Sequence, residues 1–146
     1  MEPIQSFIQF LQASITPVAL ISGVGLLLLT ITNRLGRVID RTRHLVAELD
    51  KPEIPRRETK VHEIKILLKR GRYLKLSIAF ITLSVIMSSL IIPLLVIMRA
   101  THSDLRFIGN VLFIFSITAI LISAVYFFRD VMLSLDAIRL EAQEYI

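Results

Sequence analysis

The chain is 146 residues long, 54% of them hydrophobic and 20% charged, with a mean hydropathy of +0.69 and a formal net charge of +5. That balance is too apolar for an ordinary soluble domain and makes the bilayer its natural solvent. The length leaves room for a few spans but none for an anchor plus a separate catalytic domain. The absence of cysteine excludes disulfides, thiolate nucleophiles, iron–sulfur clusters and cysteine zinc sites.

In chain order, residues 1–14 read as an outer interfacial amphipathic segment, with Ile4, Phe7, Ile8 and Leu11 on one face and Gln5, Gln9 and Gln12 opposite. Glu2 and the lack of any Lys or Arg in the first ten residues argue against a cleaved signal peptide. Thr16 is suited to cap a helix and Pro17 to open it. A first span is expected at 15–32, ITPVALISGVGLLLLTIT, a second at 76–98 and a third at 107–128. At ~1.5 Å per residue each crosses a hydrocarbon core of ~30 Å. The third span holds fourteen Leu, Ile, Val or Phe residues. At roughly −0.3 to −0.6 kcal/mol apiece these favour insertion by about 4 to 8 kcal/mol.

Between the first two spans, residues 33–75 read as a basic cytoplasmic helical hairpin. Leu35, Val38, Ile39, Thr42, Leu45, Val46 and Leu49 recur at helical steps on one arm, and Val61, Ile64, Leu67, Leu68 and Leu74 do so on the other. The prolines of Lys51-Pro52-Glu53-Ile54-Pro55 break the run between them. The fold class is thus all-α, three transmembrane helices with this hairpin between the first and second. Thirteen of the 17 Lys and Arg residues lie between Asn33 and Lys75, against six acids, leaving +7. The outer link at 99–106 carries only Arg99 and Arg106. The positive-inside rule then places the hairpin and the C-terminus in the cytoplasm and the N-terminus outside. The tail at 129–146 carries two basic and four acidic residues, with Val131, Leu135, Ile138 and Ala142 along one side. It could dock on the hairpin, or a helix from a second copy could do so.

Chemistry-bearing patterns are few. His44 and His62 are expected on the opposite side of the membrane from His102, and no HExxH, GxSxG or phosphate-binding glycine loop is present. No catalytic residue, cofactor or metal is therefore expected. The spans hold no acid, base or histidine, unlike those of ion-coupled transporters. Ser22, Gly23 and Gly25 suit close helix packing. Ser77, Ser84 and Ser88 are spaced by seven and four, and Gly109, Ser116 and Ser123 by sevens. Each stripe either packs against a helix or faces a wet lumen. Pro93 frees the carbonyl of Ser89, predicts a kink and is a candidate hinge. The hairpin's cations are interleaved with acids and have only Tyr73 as an aromatic partner, so nucleic acid is not expected, whereas anionic headgroups are.

The stretch TPVALISGVGLLLLTITNRLGRVIDR carries Pro17, Gly23, Gly25, Asn33, Arg34, Arg37, Asp40 and Arg41. In combination these resemble the small bacterial membrane proteins grouped as domain of unknown function 2721. The resemblance implies a bacterial inner-membrane protein with three spans and a basic inner segment, and supplies no activity. On physical grounds Arg34, Arg37 and Arg41 are placed to hold lipid phosphates, to cap a neighbouring helix, to pair with Asp40, or to pair with an acid such as Asp130. Two roles fit the whole: a homo-oligomer, conceivable as an ion-conducting pore with a basic vestibule, or a non-conducting adaptor for an unidentified protein partner or anionic lipid.

Overall fold

A computed structural model describes residues 2–50, 57–101 and 104–143, and the side chains among them other than those of 2, 3, 6 and 136–143. It consists of three α-helices in succession, α1 (Glu2–Leu49), α2 (Arg57–Thr101) and α3 (Arg106–Gln143). All three are long and apolar enough to cross a membrane. The molecule is a multi-pass membrane protein, and its distribution of side chains follows bilayer logic. Leu26 is 69% and Phe107 80% exposed, while five serines and an aspartate are at most 1% exposed. Water would favour the opposite arrangement, apolar groups inside and polar groups out.

No separate cytoplasmic hairpin is seen among the described residues, in keeping with arms that continue the first span and run directly into the second. The basic arms are simply the ends of α1 and α2, with no break where the apolar stretches finish. Intrahelical bonding from N–H to C=O four residues back proceeds identically on either side of a lipid boundary, so a change of side-chain polarity does not end a helix. The expected break at Lys51–Pro55 lies outside the described residues. Nor does α1 begin at Thr16. It runs unbroken from Glu2, so residues 2–14 are its first turns and Pro17 is an interior, buried residue. Pro17 withdraws only the one amide that would have bonded the Ala13 carbonyl, a loss a long helix can absorb. α2 likewise continues through Pro93, and α3 carries on past the third span to Gln143.

What selects the packing face is a repeat of seven. On α1 the buried residues are Pro17, Val24, Ile31, Val38 and Leu45. On α2 they are Leu67, Leu74, Ile81 and Ser88, interleaved with Ser77 and Ser84, and on α3 Ser116, Ser123 and Asp130 with Ala119. Every buried residue among those described falls on this 4–3 heptad spacing, the pattern by which helices interlock side chains along a seam.

The chain divides into two compact units. Unit 1 comprises residues 1–28 and 80–122, and unit 2 comprises 29–79 and 123–146. In unit 1, Ser116 directs its hydroxyl at the Ser84 carbonyl, 3.0 Å away, and receives the Ser88 hydroxyl at 2.6 Å. Arg99 lies 5.4 Å over the Phe10 ring. A Cβ on Gly109 would sit 3.6 Å from Leu94, ordinary van der Waals contact, so the seam is close but not closed to alanine there.

The Ser84 hydroxyl itself is buried with no hydrogen-bond partner among the described residues. An unsatisfied buried hydroxyl costs about 1–3 kcal/mol. Ser84→Ala is therefore expected to be neutral or stabilising by up to about 1 kcal/mol. Ser116→Ala, which breaks an interhelical pair, should cost about 0.6–1.7 kcal/mol. Unfolding of the purified variants in mixed micelles measures both, and an equal loss for the two would refute the assignment.

Candidate functional site

The chemically distinctive region lies in unit 2, and its centre is a carboxylate. Asp130 on α3 is fully buried. It occupies the heptad position that follows Gly109, Ser116 and Ser123, so the periodicity that packs the serines also turns this carboxylate inward. Burying an isolated charge is prohibitive, and it survives only when paired and hydrogen-bonded. Two arginines supply the pairing. Arg70 Nε on α2 donates to Asp130 Oδ1 at 3.0 Å, and Arg34 Nε on α1 lies 3.4 Å from Oδ2. The two contacts are not equivalent. The Arg70 contact is a hydrogen bond, whereas Oδ2 has charge proximity to Arg34 but no hydrogen bond of its own. Arg34 is steadied on its other side, its guanidinium lying 5.3 Å over the Phe127 ring. One carboxylate thereby ties together one residue from each of the three helices.

The surrounding contacts fix that geometry. One heptad step from Asp130, the Ser77 and Ser123 hydroxyls each lie 2.8 Å from the other's carbonyl oxygen. Tyr73 and Tyr126 stack with ring centroids 6.3 Å apart. Between the arms, Arg41 meets Glu63 at 2.9 Å and Lys60 meets Glu48 at 2.9 Å. The hydrogen bond from Lys60, with its charge, holds the Glu48 carboxyl below its ordinary value, and burial opposes that only in part. Gly71 faces Val38, whose methyl would be 3.8 Å from an added Cβ.

Among the residues singled out in the sequence, Arg34 is brought to Asp130 while Arg37 and Asp40 remain exposed and unpaired among the described residues. The expected local pairs of Asp40 with Arg37 or Arg41 do not form. Adjacent helical positions do not face one another, and Arg41 reaches across to Glu63 instead. Asn33 is exposed. Gly23 and Gly25 have nothing within 4 Å of an added Cβ, so no helix of this chain packs closely against them. The reason is register: the buried position of that turn is Val24, between them. Ser77, Ser84, Ser88, Ser116 and Ser123 are buried against one another's helices. Pro93 is exposed on a continuous helix, and Ile138 and Ala142 of the tail lie outside the described side chains.

Arg70 and the central role of Asp130 escape a span-by-span reading. The signal was available, because Arg70, Ser77 and Ser84 are spaced by sevens just as Ser116, Ser123 and Asp130 are. Beside the clamp, Arg34, Arg37, Arg41 and Arg70 line an open groove of about 510 Å³. Chemically the arrangement can attract and orient an anion. Among the described residues no three His, Asp or Glu side chains gather closely enough to hold a metal ion.

A family model described as "Protein of unknown function (DUF2721)" matches residues 14–140. No curated protein and no solved structure matches the chain.

Proposed function

Because the chain belongs to that DUF2721 family, whose description assigns no activity, we propose from its own geometry that it is a non-enzymatic scaffold of the bacterial inner membrane. In this reading the basic arms and C-terminus are cytoplasmic, the N-terminus lies outside, copies associate with one another, and the arms meet anionic headgroups. The observation that carries it is the Arg34–Asp130–Arg70 clamp. Charges needed only to set topology can sit on any pliant loop. Here the arms that carry them belong to α1 and α2 and are tied to α3 through Asp130, which holds a basic face in fixed geometry and so suits a surface built for recognition.

The alternative of a homo-oligomeric pore loses its main motive, since four of the serines that would line a lumen pair with one another inside the chain and the fifth, Ser84, is buried there. Self-association itself keeps support. Gly23 and Gly25 are bare on an apolar helix face, where small residues let backbones approach. On the arms Ile39, Val46 and Leu68 are exposed although they lie beyond the apolar stretches.

The test uses the full chain. In detergent and in native membranes, crosslinking is expected to give multimers, and Gly25→Leu to reduce them by about tenfold or more while helicity is kept. Liposomes containing the protein should show no ion flux above empty ones. A monomer at every concentration would remove the self-association, and selective flux would restore the pore.

A further inference from the structure

We propose that the groove bounded by Arg34, Arg37, Arg41 and Arg70 is a discrete binding site for a phosphate-bearing anion, whether a lipid headgroup or a free phosphate. This deepens the scaffold reading and rests on it for the lipid source alone.

Charge comes first. Four guanidinium groups border one cavity, and among the described residues the carboxylates that touch them are two, Asp130 against Arg34 and Arg70 and Glu63 beside Arg41. Two positive charges stay uncompensated, and Arg37 has no ion-pair partner among the described residues. Like charges bordering one groove repel, least screened by salt at the partly buried Arg34 and Arg70. A bound anion removes it.

Donor geometry comes second. Arg70 is hydrogen-bonded to Asp130 through Nε, and Arg34 is held to it through the same atom. Each guanidinium has five N–H donors in a rigid fork. The clamp therefore fixes Arg34 and Arg70 in place while leaving terminal nitrogens for a guest. Val38 and Leu67 supply an apolar floor, so the forks are presented on a surface that does not itself hydrate the anion. Several forks lining one groove suit an oxyanion with several acceptor oxygens, which a phosphate offers and a single carboxylate does not.

Position comes third. Arg34 is the second residue past the apolar stretch that ends at Thr32. In a bilayer that is the depth of the headgroup phosphates.

The experiment uses the full chain in neutral detergent, titrated with inorganic phosphate against chloride at matched ionic strength, with thermal unfolding as the readout. A parallel arm compares phosphatidylcholine nanodiscs with discs containing phosphatidylglycerol. The test variant is Arg37→Gln, because Arg37 stands outside the Asp130 clamp, and its helicity and unfolding in chloride confirm an intact fold. Phosphate is expected to raise the unfolding temperature of the parent, and Arg37→Gln to weaken the apparent phosphate affinity about tenfold or more, with Arg37→Lys recovering part of it. If phosphatidylglycerol discs give the same Arg37-dependent rise and phosphate competes with it, the source is lipid. If only dissolved phosphate does so, the site serves a soluble anion. A rise no larger than that from chloride, or one undiminished in both Arg37→Gln and the Arg37→Gln/Arg41→Gln pair, would overturn the site. Loss of the scaffold reading, by a monomeric mass or reversed orientation, leaves the phosphate titration unaffected, so the two failures are distinguishable.

Discussion

Asp130→Asn is expected to lower the unfolding free energy by about 3–5 kcal/mol, the largest effect of any single replacement outside the helix backbone. The reason is asymmetric. The intact clamp contributes little net stability, because the desolvation of three charges nearly offsets their attraction. Removing its centre, however, leaves Arg34 and Arg70 facing each other with their guanidiniums mostly out of water. Two companion replacements separate this from a loss of packing. Arg70→Gln should cost more than Arg34→Gln, since Arg70 makes the hydrogen bond and is the less exposed of the two. The triple replacement Arg34→Met, Arg70→Met, Asp130→Leu should regain most of the loss. Reversible unfolding in mixed micelles reads all four. A loss below about 1 kcal/mol for Asp130→Asn would mean that water reaches the carboxylate and that the clamp is an ordinary surface ion pair.

Leu74→Ala provides the second large effect, about 2–5 kcal/mol. Leu74 is completely buried on the α2 seam, flanked by Arg70 and Ser77 on successive heptad positions. Trimming it removes contacts on several sides and leaves a void that the stiff neighbouring helices can collapse into only partly. Leu68, a turn and a half earlier on the same helix, is 61% exposed. Leu68→Ala should stay within about 0.5 kcal/mol. Equal effects of the two leucines would show that α2 does not present the face assigned here.

The three spans were legible because uncharged, largely apolar stretches of 18, 23 and 22 residues have only one favourable solvent, whatever the neighbouring helices do. The arms were only half legible. Their helical periodicity and their continuity with the spans were plain, but the abrupt gain of cations after Asn33 set residues 33–75 apart as a cytoplasmic hairpin. Polarity changes where the solvent changes, whereas a helix ends where its backbone bonding ends, and the two boundaries do not coincide here. The clamp was legible only in part: pairing of a motif arginine with Asp130 is among the sequence's options, whereas the second arginine, Arg70, was hidden for a related reason. Within the apolar stretches the sevenfold spacing ends at Ser123 and Ser77, one step short of Asp130 and Arg70. Gly23 and Gly25 were legible in a more limited way. Small residues announce that a backbone can be approached, but not whether the approaching helix belongs to the same chain.

The serine pairs and the clamp share one phase along each helix, and that restricts how this chain can change length. Deleting a single residue between Ser77 and Arg70 would swing everything beyond it by about 100° and shorten the path by about 1.5 Å. Arg70 would then point away from Asp130 although every amino acid involved were still present. Descendants of this sequence can gain or lose residues between Arg70 and Ser77 only in whole sevens if both contacts are to be kept.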